Sequence, residues 1–196
     1  LYLSERTGAE VYLKLENYQL TGSFKIRGAF NAAQHYSKEG IDTFVTASTG
    51  NHGSGCAFAA KELGMKCKVY MPSNATRAKV EYLKLLDAET ILVGTDCLEA
   101  EIEAREFAFK NSLPYLSPYN DPLIVAGQGT VALEVFEDLN EVDAIIVPVG
   151  GGGLMAGISS FSKLKSPETE VIAAQPENSC VMYHSVNAGE ILDIPS

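Results

Sequence analysis

The chain has few basic residues for its length. Among 196 residues, 15 are Lys or Arg and 25 are Asp or Glu, which gives a formal net charge of −10. A nucleic-acid partner requires a basic surface that neutralises phosphates, so this charge argues against one. No apolar run has the length of a membrane span, and the first residues do not resemble a signal peptide. We therefore expect a cytoplasmic protein without membrane attachment.

Cysteines at metal-binding or redox spacing are also lacking. None of the four cysteines stands in a C-x-x-C pair: Cys56, Cys67, Cys97 and Cys180. This spacing argues against zinc and dithiol redox sites and favours reduced thiols. The chain begins with Leu1 rather than methionine and ends at Ser196. We therefore expect it to be a part of a longer protein.

What the sequence does contain is an alternation of strand-like and helix-like segments. VYLKLE (11–16) alternates at period two, which predicts a strand. Further strands are predicted at 43–48, 66–72, 89–94, 143–150 and 170–176. Helices are predicted at 23–40, from 51 to Leu63, and at 75–87, 97–111, 123–139 and 153–165. This order indicates an α/β protein with parallel sheets. The continuously apolar run DAIIVPVG (143–150) predicts a strand that is covered on both faces.

One lysine stands between apolar residues at the expected start of a helix. In TGSFKIRG (21–28), Lys25 lies between Phe24 and Ile26 and follows a turn-like Thr-Gly-Ser. A structural lysine would pack its stem and extend its ammonium group into water. A catalytic lysine would be desolvated by its neighbours, which lowers its pKa and favours the nucleophilic free amine.

The segment STGNHGSG (48–55) connects a predicted strand to a predicted helix. Ser48, Thr49 and Asn51 supply short polar groups, and free N–H groups at a helix start favour a carboxylate or a phosphate. A simple helix cap with a tight turn would use the same residue types. A cap needs only one hydroxyl, so the cluster as a whole favours anion binding.

Four successive glycines, Gly150, Gly151, Gly152 and Gly153, separate the apolar strand from the next helix. A plain turn needs one or two glycines, whereas a backbone cradle for a phosphate accounts for more of them. The run GGGGLMAG also contains the relaxed dinucleotide pattern G-x-G-x-x-A. A dinucleotide site would place an acidic residue at the end of the next strand, where this chain has Gln175. The pattern thus supports a phosphate and disfavours a nicotinamide dinucleotide.

An amine, an anion-binding loop and a phosphate cradle are the three features that pyridoxal phosphate and its amino-acid substrates use. Four segments then resemble the pyridoxal-phosphate enzymes of fold type II: KLENYQLTGSFKIRGA, TASTGNHGSG, AGQGTVALEV and VPVGGGGLMAG. The most similar subgroup is that of the threonine/serine dehydratases and serine racemases, of which IRG after SFK is typical. Cysteine synthases and threonine synthases usually carry an aspartate at the position of Ile26.

The resemblance covers the whole chain and implies two parallel-sheet α/β domains of the tryptophan synthase β-like fold. A large cofactor-binding domain would contain residues 1–42 and 121–196 and would continue beyond this chain at its C-terminal end. A small mobile domain would span residues 43–120 and close over the substrate.

The same resemblance implies the residues that bind pyridoxal phosphate. Lys25 corresponds to the Schiff-base lysine, with Phe24 beside it. Asn51 corresponds to the residue that hydrogen-bonds the ring hydroxyl. The phosphate loop is Gly150, Gly151, Gly152 and Gly153, with the N–H of Leu154 next to it.

The resemblance also implies a substrate site and no metal site. Ser48, Thr49, Asn51 and His52 fall on the loop that takes the substrate carboxylate, and Asn120 corresponds to an asparagine near cofactor and substrate. Serine racemases carry a serine, which acts as a base, at the position of Thr49, and many threonine dehydratases carry alanine. Racemase-like members bind a divalent cation with acidic residues where this chain has Gln175 and, nearby, Val181. A hard cation prefers charged oxygen ligands, so we expect none.

The resemblance implies a pyridoxal-phosphate-dependent β-elimination that converts L-threonine or L-serine into a 2-oxo acid and ammonia. The alternatives are a serine racemase, a dehydratase of another 3-hydroxy amino acid or, in a different class, a non-catalytic phosphate- or nucleotide-binding module. The full-length protein is expected to be a homodimer or a higher homo-oligomer.

Overall fold

A computed structural model describes residues 2–192 of the chain, so both chain ends, Leu1 and residues 193–196, lie outside the description. Eight α-helices and five strands are found in the described part. The helices are α1 Tyr2–Thr7, α2 Lys25–Lys38, α3 Asn51–Leu63, α4 Arg77–Leu85, α5 Cys97–Lys110, α6 Pro122–Asp138, α7 Gly153–Lys165 and α8 Val181–Ala188. The strands are β1 Thr43–Ala47, β2 Lys66–Met71, β3 Glu89–Leu92, β4 Ala144–Pro148 and β5 Glu170–Ala174.

The strands form two separate parallel sheets, which confirms the predicted α/β class. The first sheet has the order β1-β2-β3, and Thr43 pairs with Lys66 in its register. The second sheet consists of β4 and β5, with Ala144 opposite Glu170. The first sheet lies within residues 43–120 and the second within residues 121–192, as the two-domain division requires, but the domain boundaries themselves stay a prediction.

The two sheets differ in how they are covered. Phe44 packs against helices α2 and α3 while its neighbour Val45 packs on the α5 side, and both are fully buried. The first sheet is therefore covered on both faces. In the second sheet, Val147 is buried beneath α6 and α7, but Ile146 on the other face is 69% exposed. The prediction that β4 is covered on both faces is thus wrong for the described residues, because an apolar run shows that a strand is apolar and not what packs on it.

Glycines allow helix α6 to pack closely on two other helices. A Cβ on Gly127 would lie 2.5 Å from the Cα of Gly28 in α2. A Cβ on Gly129 would lie 3.0 Å from the carbonyl oxygen of Gly157 in α7. Two residues of a helix are about 200° apart, so the two glycines face opposite neighbours. Gly127 and Gly129 therefore allow α2 and α7 to pack closely on opposite sides of α6. Lys25 lies at the start of α2.

The predicted strand at 11–16 is wrong. No strand forms there, and a 3-10 turn, Glu16–Tyr18, follows. Tyr12, Leu13 and Leu15 are all more than half exposed, so the period-two pattern has no buried face. A strand also needs a hydrogen-bonded neighbour, and this segment has none among the described strands.

Ion pairs hold this segment in place instead. The guanidinium of Arg27 donates to both Glu16 oxygens at 2.7 and 2.8 Å and to both Glu134 oxygens at 2.6 and 2.7 Å. Hydrogen bonds from Arg27, helped by its positive charge, hold the pKa of Glu134 at about 2, below the ordinary value of 4.5. Only 10% of the Arg27 side chain is exposed, so this pairing is screened less than a surface ion pair. The network fixes the first turn of α2 against α6.

Candidate functional site

Lys25 is the first residue of α2, and the preceding turn positions it. Gly22 has a φ of +74°, and the hydroxyl of Ser23 accepts a hydrogen bond from the Lys25 backbone N–H at 3.3 Å. The Lys25 amine donates to the carbonyl oxygen of Pro118 at 2.6 Å. The amine also lies 5.3 Å from the centroid of the Phe24 ring. The side chain therefore points towards residue 118, far away in sequence, and not freely into water.

Burial lowers the pKa of Lys25 below its ordinary value of 10.5, and the nearby Cys56 acts in the opposite direction. A desolvated ammonium group is destabilised relative to the neutral amine, so more of the amine is neutral at a given pH. A neutral amine is the form that attacks a carbonyl carbon or accepts a proton. The structure thus favours the catalytic interpretation of Lys25.

The loop from Ser48 to Asn51 begins helix α3. Its N-cap is Gly50, and among the described residues no side chain caps the first turn. The Gly50 N–H binds the Ser48 hydroxyl at 3.1 Å, while Asn51 is exposed. A Cβ on Gly55 would lie 3.2 Å from the Cα of Ile26. The first turns of α3 and α2 are therefore in close contact, which places the loop beside Lys25.

His52 faces away from this surface. The residue is 3% exposed, and its Nε2 lies 3.1 Å from the carbonyl oxygen of Leu116, to which it donates as the neutral tautomer. Burial lowers the pKa of His52 to about 4, so the ring is neutral near pH 7. Sequence reasoning placed His52 on the substrate loop, and the structure shows that the imidazole is not at the surface of that loop. Cys56, one turn later, is fully buried and has a pKa raised to about 12 by burial, as expected of a small packing residue.

The glycine loop Gly150–Gly153 begins helix α7 in a similar way. The N-cap is Gly152, whose φ of +86° favours glycine, and in the described part of the chain no side chain caps this helix. No described atom lies within 4 Å of a Cβ placed on Gly150. The N–H groups at the start of α7 thus lack side-chain acceptors, and together with the positive end of the helix dipole they can bind a phosphate. This geometry fits the phosphate cradle expected from the sequence.

Tyr119, which sequence reasoning did not assign to the site, connects the glycine loop to Lys25. A Cβ on Gly151 would lie 2.6 Å from the Tyr119 ring, and one on Gly153 would lie 2.9 Å from the Tyr119 Cα. The preceding residue, Pro118, accepts the hydrogen bond of the Lys25 amine. No sequence pattern marks this tyrosine, because its role depends on contacts with residues more than thirty positions away.

Asn120 follows Tyr119 and is exposed. Its backbone N–H donates to the hydroxyl of Ser117 at 3.1 Å, which closes a turn over residues 117–120. The structure therefore places Asn120 on the segment that approaches both Lys25 and the glycine loop. The role of its side chain towards a substrate stays a prediction.

Two clefts flank the loop at residues 48–51, and Thr49 lines both. The first has a volume of about 280 Å³ and is bounded by Asn51, Ser54 and, from α4, Lys79 and Tyr82. The second has a volume of about 240 Å³ and extends towards α5; Ser48, Glu101, Pro118 and Tyr119 are among its lining residues. Both volumes suit a small molecule rather than a macromolecule.

The described residues supply no metal site and no membrane segment. Within residues 2–192, no group of three His, Cys, Asp or Glu residues could hold a metal ion. No helix in the same range has both the length and the apolar character needed to cross a membrane. The candidate ligand site consists of an amine, hydroxyls, an amide and backbone N–H groups.

Comparison with known proteins identifies the family. The model of the family "Pyridoxal-phosphate dependent enzyme" matches residues 1–196. The chain is 45% identical over 191 residues to the L-threonine ammonia-lyase of Thermotoga maritima, covering 95% of this chain and 47% of that protein. It is also similar to the processed threonine deaminase isoform 2 of Solanum lycopersicum, with a TM-score of 0.92, 37% identity and coverage of 97% and 53%.

A third relative is the serine racemase of Dictyostelium discoideum, with a TM-score of 0.91 and 36% identity. The match covers 98% of this chain and 63% of the racemase. The chain thus spans about half the length of the proteins that it matches. It belongs to the family of pyridoxal-phosphate dependent enzymes, and its fold is that of fold type II.

Proposed function

We propose that this member of the pyridoxal-phosphate dependent family catalyses the elimination of water from L-threonine or L-serine, which yields a 2-oxo acid and ammonia. The observation that carries the proposal is the partly buried Lys25 amine, whose pKa is lowered and which lies at the same edge of the fold as two uncapped helix starts. The similarity to proteins named L-threonine ammonia-lyase and threonine deaminase supports this substrate class.

The residues present fit the cofactor at both of its ends. Lys25 would hold pyridoxal phosphate covalently through its amine, and the N–H groups of Gly150–Leu154 would hold the phosphate. Asn51, exposed at the start of α3, would hydrogen-bond the ring hydroxyl. When bound, the cofactor supplies an aldehyde that condenses with amines and a ring that withdraws electrons from the substrate α-carbon.

The loop of Ser48, Thr49 and Asn51 would bind the substrate carboxylate. The uncapped N–H groups of α3 and its positive dipole end favour an anion there. The hydroxyls of Ser48 and Thr49 can donate to carboxylate oxygens in addition. The His52 ring would not contact the substrate, because it is buried and faces Leu116, so only its backbone N–H is available to a carboxylate.

The Lys25 amine would act as general base once the substrate has bound. Its Nζ would accept the α-proton, and the lowered pKa of Lys25 increases the neutral fraction of the amine that is available for this step. The substrate hydroxyl takes up a proton and leaves as water. A second water molecule then replaces the nitrogen, which gives the 2-oxo acid and ammonia.

The first experiment is to add pyridoxal phosphate, reduce with borohydride, digest the protein and locate the pyridoxyl adduct by mass spectrometry. We expect a single adduct on Lys25, with Lys38→Ala, at the exposed end of the same helix, as the matched control. Lys25→Ala should lose both the adduct and the formation of 2-oxo acid from L-threonine and L-serine. A non-catalytic phosphate- or nucleotide-binding module would retain its ligand in Lys25→Ala, and labelling elsewhere than Lys25 would contradict the proposal.

A racemase activity is the second candidate, because a hydroxyl is present at Thr49 and because a serine racemase is among the similar structures. Racemisation needs a group that delivers a proton on the face opposite the lysine, and the Thr49 hydroxyl could occupy that position. Incubation with L-serine should be followed for D-serine and pyruvate together. D-serine that increases in Thr49→Ser and vanishes in Thr49→Ala would support this candidate, and pyruvate alone would exclude it.

The nature of the assembly and the location in the cell stay predictions. A homo-oligomer is expected from the sequence resemblance, and a cytoplasmic location from the composition and the first residues of the sequence. Size-exclusion chromatography with light scattering on the full-length protein would test the first.

A further inference from the structure

The ring of Tyr119 occupies the space beside the glycine loop that side chains would otherwise take. A Cβ on Gly151 would lie 2.6 Å from Cδ1 and 2.7 Å from Cγ of Tyr119. A Cβ on Gly153 would lie 2.9 Å from the Cα and 3.1 Å from the carbonyl oxygen of the same residue. Real Cβ atoms do not approach other atoms this closely, so Tyr119 and these two glycines are fitted to each other.

The residue before Tyr119 contacts the Lys25 amine. The carbonyl oxygen of Pro118 accepts the hydrogen bond from Lys25 Nζ at 2.6 Å. Two adjacent residues of one segment therefore contact the two features that a phosphorylated aldehyde would bridge. The Pro118 carbonyl contacts the Lys25 amine, and the Tyr119 ring contacts the glycine loop.

This segment is anchored to the first sheet and cannot shift freely. The Leu116 carbonyl oxygen accepts hydrogen bonds from Thr46 Oγ1 at 2.8 Å and from His52 Nε2 at 3.1 Å. The Leu116 N–H donates to the carbonyl oxygen of Val45 at 2.8 Å. Because these hydrogen bonds fix the segment to β1, they also fix Tyr119 against the glycine loop, which follows β4 of the second sheet.

We propose that Tyr119 is a positioning residue that sets the separation between the Lys25 amine and the Gly150–Gly153 loop. This inference rests on the proposed function, in which Lys25 binds the aldehyde and the loop binds the phosphate of one cofactor. The aromatic ring supplies the effect by filling the space next to Gly151. The phenolic hydroxyl is not required.

The test uses Tyr119→Ala, Tyr119→Phe and, as a control, Tyr18→Ala, which removes an exposed tyrosine. Binding of inorganic phosphate to the cofactor-free protein is measured by calorimetry, and the pH dependence of Lys25 acetylation is followed by mass spectrometry. In Tyr119→Ala we expect a phosphate Kd about tenfold higher, and a labelling midpoint for Lys25 that moves up towards the ordinary value of 10.5. Tyr119→Phe and Tyr18→Ala should behave as the wild type.

A second measurement tests the fit directly and does not depend on one variant. Gly151→Ala should weaken phosphate binding, because its methyl group meets the Tyr119 ring. If the ring is the cause, Gly151→Ala combined with Tyr119→Ala should lose no more affinity than the worse single variant. If Tyr119→Ala does not fold, Tyr119→Leu replaces it in both measurements.

The outcomes separate this inference from the proposed function. Additive losses, or wild-type phosphate binding and Lys25 labelling in Tyr119→Ala, would overturn the positioning role alone. A wild-type protein that neither binds phosphate nor forms the pyridoxyl adduct on Lys25 would overturn the proposed function as well. Equal losses in Tyr119→Phe and Tyr119→Ala would show that the hydroxyl acts, which contradicts the role of the ring.

Discussion

Four helices, α3, α5, α6 and α7, begin after extended segments of the two parallel sheets, yet their first turns differ in chemistry. The N-caps of α5 and α6 are Asp96 and Asp121, and each carboxylate accepts two backbone N–H groups of its own helix. The N-caps of α3 and α7 are Gly50 and Gly152, and no described side chain caps either helix. The first turn therefore binds the protein's own carboxylate in two helices and is left open by the described side chains in the other two.

Absence of a side-chain cap alone does not mark a ligand site, because α2, α4 and α8 also lack one among the described helices. Helices α3 and α7 differ from these three in having glycine N-caps, which leave space at the helix start. A helix start needs an acceptor for its free N–H groups, and an aspartate provides one at the expense of repelling other anions. Helix α3 follows β1 and α7 follows β4, so both uncapped starts lie at carboxyl ends of parallel strands, where α/β proteins place ligands. Predictions that alter these four helix starts test the comparison directly.

The largest effect is expected for Gly153→Ala at the start of α7. The new Cβ would lie 2.9 Å from the Tyr119 Cα, and neither backbone can move without disturbing the loop. Overpacking of this kind costs about 3 kcal/mol, and the free energy of unfolding from urea titration should fall by that amount. Phosphate binding should be lost together with it.

Gly150→Ala is the matched control for that substitution. No described atom lies within 4 Å of a Cβ at Gly150, so the free energy of unfolding should stay within about 0.5 kcal/mol of the wild type. Equal destabilisation by the two substitutions would contradict the view that Tyr119 makes the loop intolerant of side chains.

Acid should destabilise the first turn of α3 but not that of α7. The second helical residue is His52 in α3 and the apolar Leu154 in α7. The pKa of His52 is about 4 in the fold and 6.5 ordinarily, so between these values the unfolded chain binds more protons. Stability is then lost as the pH falls from 6.5 towards 4. The shift accounts for about 2 kcal/mol between pH 7 and pH 5.

Urea titrations at pH 7 and pH 5 measure this loss. His52→Gln retains an N–H donor for Leu116 and cannot titrate, so its loss over the same range should be about 2 kcal/mol smaller. The pKa of Glu134 is about 2 in the fold and 4.5 ordinarily, so the stability that this carboxylate provides is lost mainly as the pH falls below about 4.5. It therefore changes little between pH 7 and pH 5. The same pH dependence in His52→Gln would show that another group is responsible.

The next effect concerns Gly50→Asp, which would give α3 the cap that α5 and α6 already have. The backbone at Gly50 has a φ of −142°, and no described atom lies within 4 Å of an added Cβ. Stability should change by only a few tenths of a kcal/mol. The new carboxylate should compete with the substrate carboxylate and raise KM about tenfold, which corresponds to roughly 1.4 kcal/mol.

Gly50→Asn, with the same size and no charge, is the control for this substitution. It should raise KM less than Gly50→Asp, and the difference should shrink in high salt. A KM that is equal in both variants would indicate that the α3 start does not bind an anion.

Between residues 23 and 176 the sequence predicted the order of strands and helices well, because this order depends on local patterns, but it did not predict helices α1 and α8. It explained the glycines of the loop at 150–153 only in part. A phosphate cradle accounts for more of the glycines than a plain turn does, and the structure shows in addition that Gly151 and Gly153 make room for Tyr119 and that Gly152 has a left-handed backbone. Such contacts join residues that are distant in the chain, and no local pattern encodes them.

The wrong strand at 11–16 and the inward orientation of the His52 ring have the same physical origin. Segment 11–16 alternates like a strand but is held by ion pairs to Arg27 and Glu134, which are far from it in sequence. The resemblance implies that His52 lies on the substrate loop, and the structure shows that its ring turns inward to Leu116. Neighbours in a loop can face opposite sides, and only the packing around them decides which.

The smallest effect is expected from removing a cap at α6. Asp121 accepts from the N–H groups of Leu123 and Ile124 at 2.8 and 3.2 Å, and Asp121→Ala would leave both without this acceptor. Loss of a cap costs about 1 kcal/mol, which thermal or urea unfolding would detect. Phosphate affinity should stay unchanged, because the proposed phosphate site is the glycine loop at the start of α7 and not the start of α6. Asp96→Ala at α5 should behave alike, because it too removes an internal anion, and a gain of phosphate binding in either variant would show that an uncapped helix start suffices for a site without the glycine loop.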